Sequence, residues 1–157
     1  MHPQGDNQDM AVPPTGSPEN PILAAGVLLW QHQEDGPKLL LLRNTRHQTW
    51  GFAKGHLEPM EDAVTAALRE TLEETGVSLQ SQDLLEDFAD TSIYEVKRGF
   101  KRVFHFLAAQ PSPEINLSPE HDDCGWFTRE QALAKLEHQA LRRTVIRAFE
   151  RLQQRLG

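Results

Sequence analysis

Apolar and polar positions fall into blocks along the chain. Residues 1–20 are rich in Pro, Gly, Asn and Asp with almost no apolar periodicity, which reads as a flexible leader ahead of a domain spanning 21–157. Ile22 to Trp30 is then a continuous apolar run of strand character. Gln33 to Pro37 supply turn residues, and Lys38 to Arg43 give a second buried strand. Lys101 to Ala109 alternates, with Arg102, Phe104 and Phe106 on one face and Val103, His105 and Leu107 on the other. A turn at Arg98 and Gly99 pairs it with a strand expected over Ala89 to Val96. Cys124 to Phe127 reads as a short strand, Thr128 caps a helix running to Lys135, and Leu141 to Leu156 repeats Val145, Ala148, Phe149 and Leu152 at helical spacing. Mixed strands flanked by helices predict an α/β sandwich.

The most specified stretch is Gly55 to Val77, a loop entering a helix. Pro59 sits in the turn before it, Glu61 and Asp62 are placed in its first turn, and Gly76 is its C-cap. At 100° per residue Val64, Leu68 and Leu72 form an apolar stripe, while Glu70, Glu73 and Glu74 gather on the opposite face beside Ala63, Ala66 and Ala67. Two like charges about 4 Å apart repel by roughly 4 kcal/mol at an effective dielectric of about 20, whereas an i,i+4 pair of opposite charges gains only about 0.2–0.5 kcal/mol. A helix serving structure alone would interleave lysines there. Converging carboxylates are instead what Mg²⁺ takes, together with phosphate oxygens and water. Arg69, one turn before Glu73, is placed to orient its carboxylate. The alanines leave room for the Gly55 loop, and for a phosphate, to approach.

Composition narrows the classes. At 157 residues, with 38% hydrophobic and 25% charged, the chain suits one domain with a full core. A single cysteine, Cys124, rules out an internal disulfide framework and fits a reducing cytoplasm. No apolar run has membrane-spanning length, and no membrane partner is expected. The formal charge of −7 argues against nucleic acid as the main partner, while leaving room for a small polyphosphate held by local bases and a metal. Nothing in the pattern selects monomer or dimer.

Gly55, Glu61, Arg69-Glu70, Glu73-Glu74 and Gly76-Val77 resemble the Nudix box, G-x5-E-x7-R-E-U-x-E-E-x-G-U, with Thr71 standing at the first aliphatic position. Trp50, Lys54-Gly55-His56 and Glu58-Pro59, then Leu117-Ser118-Pro119-Glu120-His121 and Trp126, are similar to the signatures of the asymmetric dinucleoside tetraphosphate hydrolases. Ala53 and Met60 depart from that pattern, replacing a proline and a glycine. The resemblance implies the Nudix fold, an α/β/α sandwich with a mixed sheet and a loop-helix-loop catalytic box. It also implies Mg²⁺, with Mn²⁺ as the alternative, held by Glu70, Glu73, Glu74, the Gly55 carbonyl and Glu120. Water would attack a phosphorus of a nucleotide polyphosphate, yielding a nucleoside monophosphate and a triphosphate. Either Glu70 or Glu120 would accept the proton of that water. Tyr94 corresponds to a tyrosine that stacks on adenine, or packs in the core. Lys54 and His56 follow the family's loop and would face the phosphates. The hairpin cations Lys97, Lys101 and Arg102, with Arg98, form either a site for the phosphate tail or a soluble sheet edge. The same box also serves Nudix pyrophosphohydrolases acting on nucleoside triphosphates, ADP-ribose or RNA 5′ ends, and non-catalytic domains that sense nucleotides.

Overall fold

The computed structural model describes residues 12–112 and 114–156. Its sheet is organised on β1 (Ile22–Gln33), the apolar run of the sequence, buried without interruption from Ala24 to Gln31. Burial on both faces explains why this strand does not alternate. It runs parallel to β6 (Gly99–Ala109) from Ile22↔Lys101 to Trp30↔Ala109, and antiparallel to β2 (Gly36–Asn44) and β4 (Ala53–His56) at its two ends. Gly26 permits the β4 contact, because a Cβ there would overlap the Ala53 carbonyl and the Lys54 side chain. β3 (Trp50–Gly51) and β7 (His121–Phe127) pair with β2, and β5 (Asp90–Val96) pairs with β6, completing one mixed seven-stranded sheet.

Helix α1 (Ala63–Thr75) covers one face, packing its Ala66 and Ala67 against Val27, Leu29 and Ala108. The short α2 (Arg129–Lys135) and the long α3 (Gln139–Leu156) cover the other, where Val145 and Phe149 of α3 share a core with Leu28, Leu41, Phe52 and Leu107. The expected α/β/α sandwich is therefore borne out. Thr128 caps α2 as predicted, accepting from the Gln131 amide at 3.2 Å. Among the described residues no helix is long and apolar enough to cross a membrane.

Two local expectations change, and the structure decides which side of α1 is buried. Asp62 is the N-cap of α1, in extended backbone with Oδ1 accepting from the Thr65 amide at 2.8 Å, so Glu61 and Asp62 precede the first turn. The Val64, Leu68, Leu72 stripe is not the side α1 buries. Ala66, Ala67, Thr71, Glu74 and Thr75 face the sheet and Leu72 is exposed, because only small residues allow the helix to lie close to β1. Within the expected leader, residues 1–11 lie outside the described residues. Residues 15–20 fold into turns, and the Gly16 carbonyl accepts from the Phe100 amide at 2.7 Å, tying this segment to the β5–β6 hairpin.

Candidate active site

Gly55, the last residue but one of β4, lies directly against α1. A Cβ at that position would overlap the Glu70 carboxylate, so glycine is needed for close approach, and the carboxylate is cradled by backbone. One residue earlier, the Lys54 amide donates to Glu74 Oε1 at 3.2 Å. Arg69 organises the acids around it. Its Nε and Nη2 donate to both oxygens of Glu61 at 2.9 and 2.8 Å, and Nη1 donates to Glu70 Oε2 at 2.7 Å and to Glu73 at 3.3 Å. The Arg69 hydrogen bonds, with the Glu58 amide, hold Glu61 down to about 2. Arg69 thus grips Glu61 and Glu70 more closely than Glu73, the carboxylate it was expected to orient.

Glu74 is buried, and burial followed by the neighbouring Glu70 carboxylate pushes it well above the usual carboxylate range. Glu70, Glu73, Glu74 and Glu120 line one cleft of about 630 Å³. The loop carrying Glu120 is fixed from behind, its carbonyl accepting from the Thr45 amide at 2.9 Å. A buried carboxylate driven to keep its proton for want of positive charge, beside three more acids and a glycine cradle, is a donor set that fits a hard divalent cation. Among the described residues no three such groups already stand as a closed metal cage; Glu70 and Glu73 are both held by Arg69.

The cleft opens into a second hollow of about 490 Å³ whose walls include Trp50, Tyr94, His138 and Leu141. Tyr94 and Lys101 are directly opposed in the β5–β6 ladder and so share a face. The Tyr94 ring lies 4.2 Å from that of His138, and burial raises its hydroxyl to about 12. Trp50 packs edge-on to Phe127 at 5.5 Å, with Lys135 Nζ 4.6 Å above its ring. Five residues line both hollows: Asn44, Phe52, Lys54, Lys101 and His121. Among the described residues neither lysine has a carboxylate within ion-pair distance. Burial lowers both, Lys101 to about 8. His56 lines the acid cleft from an exposed position, held below its ordinary value by partial burial and then by Lys101 and Arg98. Lys97 lies in the hairpin turn and Arg102 is paired with Ile93 on the other face; neither lines the acid cleft or the aromatic hollow.

The motifs thus pick out residues that the fold gathers, while Asn44 and His138 carry no local signal in the sequence. His121 was visible only as the neighbour of Glu120. A larger hollow of about 890 Å³, between the 81–89 segment and Arg151 and Arg155, contains none of the box carboxylates, so volume alone does not mark the site.

A NUDIX domain model matches residues 20–149. The chain belongs to the Nudix family. Among its Nudix relatives, the asymmetrical bis(5′-nucleosyl)-tetraphosphatase of Caenorhabditis elegans is 32% identical over 130 residues, covering 82% of this chain and 94% of that protein. The protein of the same name from Mus musculus is 32% identical over 109 residues, 68% of this chain and 74% of the relative. Among solved structures, a binary complex of a C. elegans Ap4A hydrolase superimposes with a TM-score of 0.74 at 30% identity, over 82% of this chain and 95% of the other.

Proposed function

We propose that the protein is a divalent-metal-dependent pyrophosphohydrolase of dinucleoside polyphosphates, with diadenosine tetraphosphate, cut to ATP and AMP, as its leading substrate. One observation carries this reading: an aromatic hollow and a carboxylate cleft share a wall on which two lysines have no acid partner among the described residues. A base stacked on Tyr94 would send its phosphates past Lys54 and Lys101 toward Glu70, Glu73, Glu74 and Glu120. Those four carboxylates and the Gly55 carbonyl are the groups that would hold Mg²⁺, or Mn²⁺ in its place. When bound, such an ion neutralises phosphate oxygens and makes water more acidic. Arg69 keeps Glu61, Glu70 and Glu73 in register, and the lysines hold the polyphosphate for in-line attack. Of the two candidate proton acceptors, Glu120 has no ion-pair partner among the described residues, whereas Glu70 is already tied to Arg69 at 2.7 Å; this favours Glu120. The names of the worm and mouse relatives support the same substrate class.

The test is to incubate purified protein and Mg²⁺ with diadenosine tetraphosphate, ADP-ribose, dGTP or 5′-triphosphorylated RNA and to resolve the products by chromatography. Fastest conversion of diadenosine tetraphosphate to ATP plus AMP is expected, and preference for another substrate overturns the choice. Glu74→Gln should lower kcat by about two orders of magnitude or more with an unchanged melting temperature; near-normal turnover would remove Glu74 from the metal site.

A further inference from the structure

Asn44 ends β2, outside every motif in the sequence. It pairs with His121 where the β2–β7 register shifts between Arg43 and Asn44. A bulge of this kind bends the strand and re-aims its side chains. Asn44 Oδ1 accepts from the amides of Arg46 and His47, both at 2.9 Å. Two N–H donors on one atom identify it as the oxygen, since an amide nitrogen there would meet them donor to donor. Nδ2 is consequently the atom left over. It has no hydrogen-bond acceptor among the described residues, and Asn44 lines both hollows.

The loop behind this side chain is tightly tied. The Asn44 amide donates to the Thr49 carbonyl at 2.8 Å, and Gln48 Nε2 donates to the Thr45 carbonyl at 2.8 Å and to Asp122 at 2.9 Å. Thr45 in turn donates from its amide to the Glu120 carbonyl and from its hydroxyl to the Pro119 carbonyl. Asn44 is thereby braced to the loop that carries Glu120.

We propose that Asn44 Nδ2 donates a hydrogen bond to a non-bridging oxygen of the phosphate nearest the nucleoside, as the substrate passes from the aromatic hollow to the carboxylate cleft. The proposal rests on the functional reading above. On the shared wall Lys54 and Lys101 can only donate, and Asn44 adds an amide donor without adding charge. An ionised phosphate diester offers only acceptors, which makes it the matching group. Such a contact exists in both ground and transition states, so its loss raises KM more than it lowers kcat.

Asn44→Asp separates this role from loop holding. The carboxylate still accepts from Arg46 and His47, keeping the turn, but it can no longer donate and it repels phosphate. With diadenosine tetraphosphate and Mg²⁺, Asn44→Asp should keep its melting temperature and raise KM by about tenfold or more, with kcat within about threefold. Asn44→Ala should raise KM less and melt lower. A loop-holding role alone gives the reverse order, Asp resembling wild type and Ala impaired, and that result overturns the proposal. Should the Asp variant fold poorly, wild-type protein labelled with ¹⁵N-asparagine decides. The Asn44 side-chain amide signal should shift on adding ATP without metal, and an unmoved signal overturns the contact. If wild-type protein hydrolyses none of the four substrates above, the functional reading falls and takes this assignment with it. Normal wild-type turnover with an Asn44→Asp KM at the wild-type value removes Asn44 alone.

Discussion

Met60 holds a left-handed backbone, φ 68°, with its side chain wholly in solvent, at the position where the dinucleoside tetraphosphate hydrolases carry glycine. The turn needs that conformation, because the Glu61 amide donates to the Glu58 carbonyl at 3.0 Å while Glu61 Oε1 accepts from the Glu58 amide at 2.9 Å. A Cβ in this region costs about 1–2 kcal/mol, and glycine's extra freedom in the unfolded chain takes back about 0.5–1 kcal/mol. Met60→Gly is therefore expected to stabilise the protein by up to about 1 kcal/mol, a rise in melting temperature of about 2–4 °C by scanning calorimetry, with activity unchanged. A lower melting temperature would show that the turn carries no strain. At this scale the sequence is read best where chemistry is written as spacing. Lys54, Glu70, Glu73, Glu74 and Glu120 could be named as a set before any fold was known, and the fold brings them to one cleft. Asn44 could not, since the amide nitrogen it leaves without an acceptor among the described residues follows from a bulge and from two backbone donors that exist only once the chain has folded.

At the scale of one element, α1 shows where periodicity misleads. The sequence puts alanines and glutamates on one side and larger apolar residues on the other, and both groupings hold. What periodicity does not say is which side meets the sheet. Distance decides it: α1 lies against β1, β4 and β6 with Ala66, Ala67, Thr71 and Thr75 beneath it, and Thr71 and Thr75 satisfy their hydroxyls on the carbonyls one turn back, at 2.7 and 2.6 Å. That orientation also carries Glu74 down beside the Lys54 amide. Leu72→Gln should consequently change unfolding free energy by no more than about 0.5 kcal/mol in urea titrations, whereas Ala67→Leu should cost about 1–3 kcal/mol. The opposite ranking would return the core to the Val64, Leu68, Leu72 stripe.

Across the whole molecule, the least expected occupant of the core is His105. It is completely buried, lies edge-on to Phe52 at 5.4 Å, and both ring nitrogens lack a partner among the described residues. Asp90, its opposite number on β5, is committed to Thr144 and Arg147, each at 2.6 Å. Burial, then the charges of Lys54 and Lys101, push His105 down to about 3. In the unfolded chain it titrates at its ordinary value of about 6.5, so between these limits the unfolded state binds a proton that the folded state refuses, and stability falls as pH falls. His105→Leu removes this term. Relative to wild type it should gain about 2 kcal/mol on going from pH 7 to pH 5, measured by denaturant unfolding at each pH. A parallel shift at both pH values would mean that His105 titrates normally. The strands of this sheet were mostly visible as apolar runs, but their order was not, because the partners of β1 are set by residues far along the chain. The parallel pairing of Ile22–Trp30 with Lys101–Ala109 has a consequence for how the protein is made. Residues 22–75 leave the ribosome with every carboxylate of α1 already synthesised, yet their central strand lacks one neighbour until residue 109 has emerged, and β7 and α3 come later still. Local helix formation is fast and long-range pairing slow, so the acidic helix waits on an unfinished sheet with its apolar edge uncovered, and that interval is when a nascent chain is most exposed to aggregation and to chaperones.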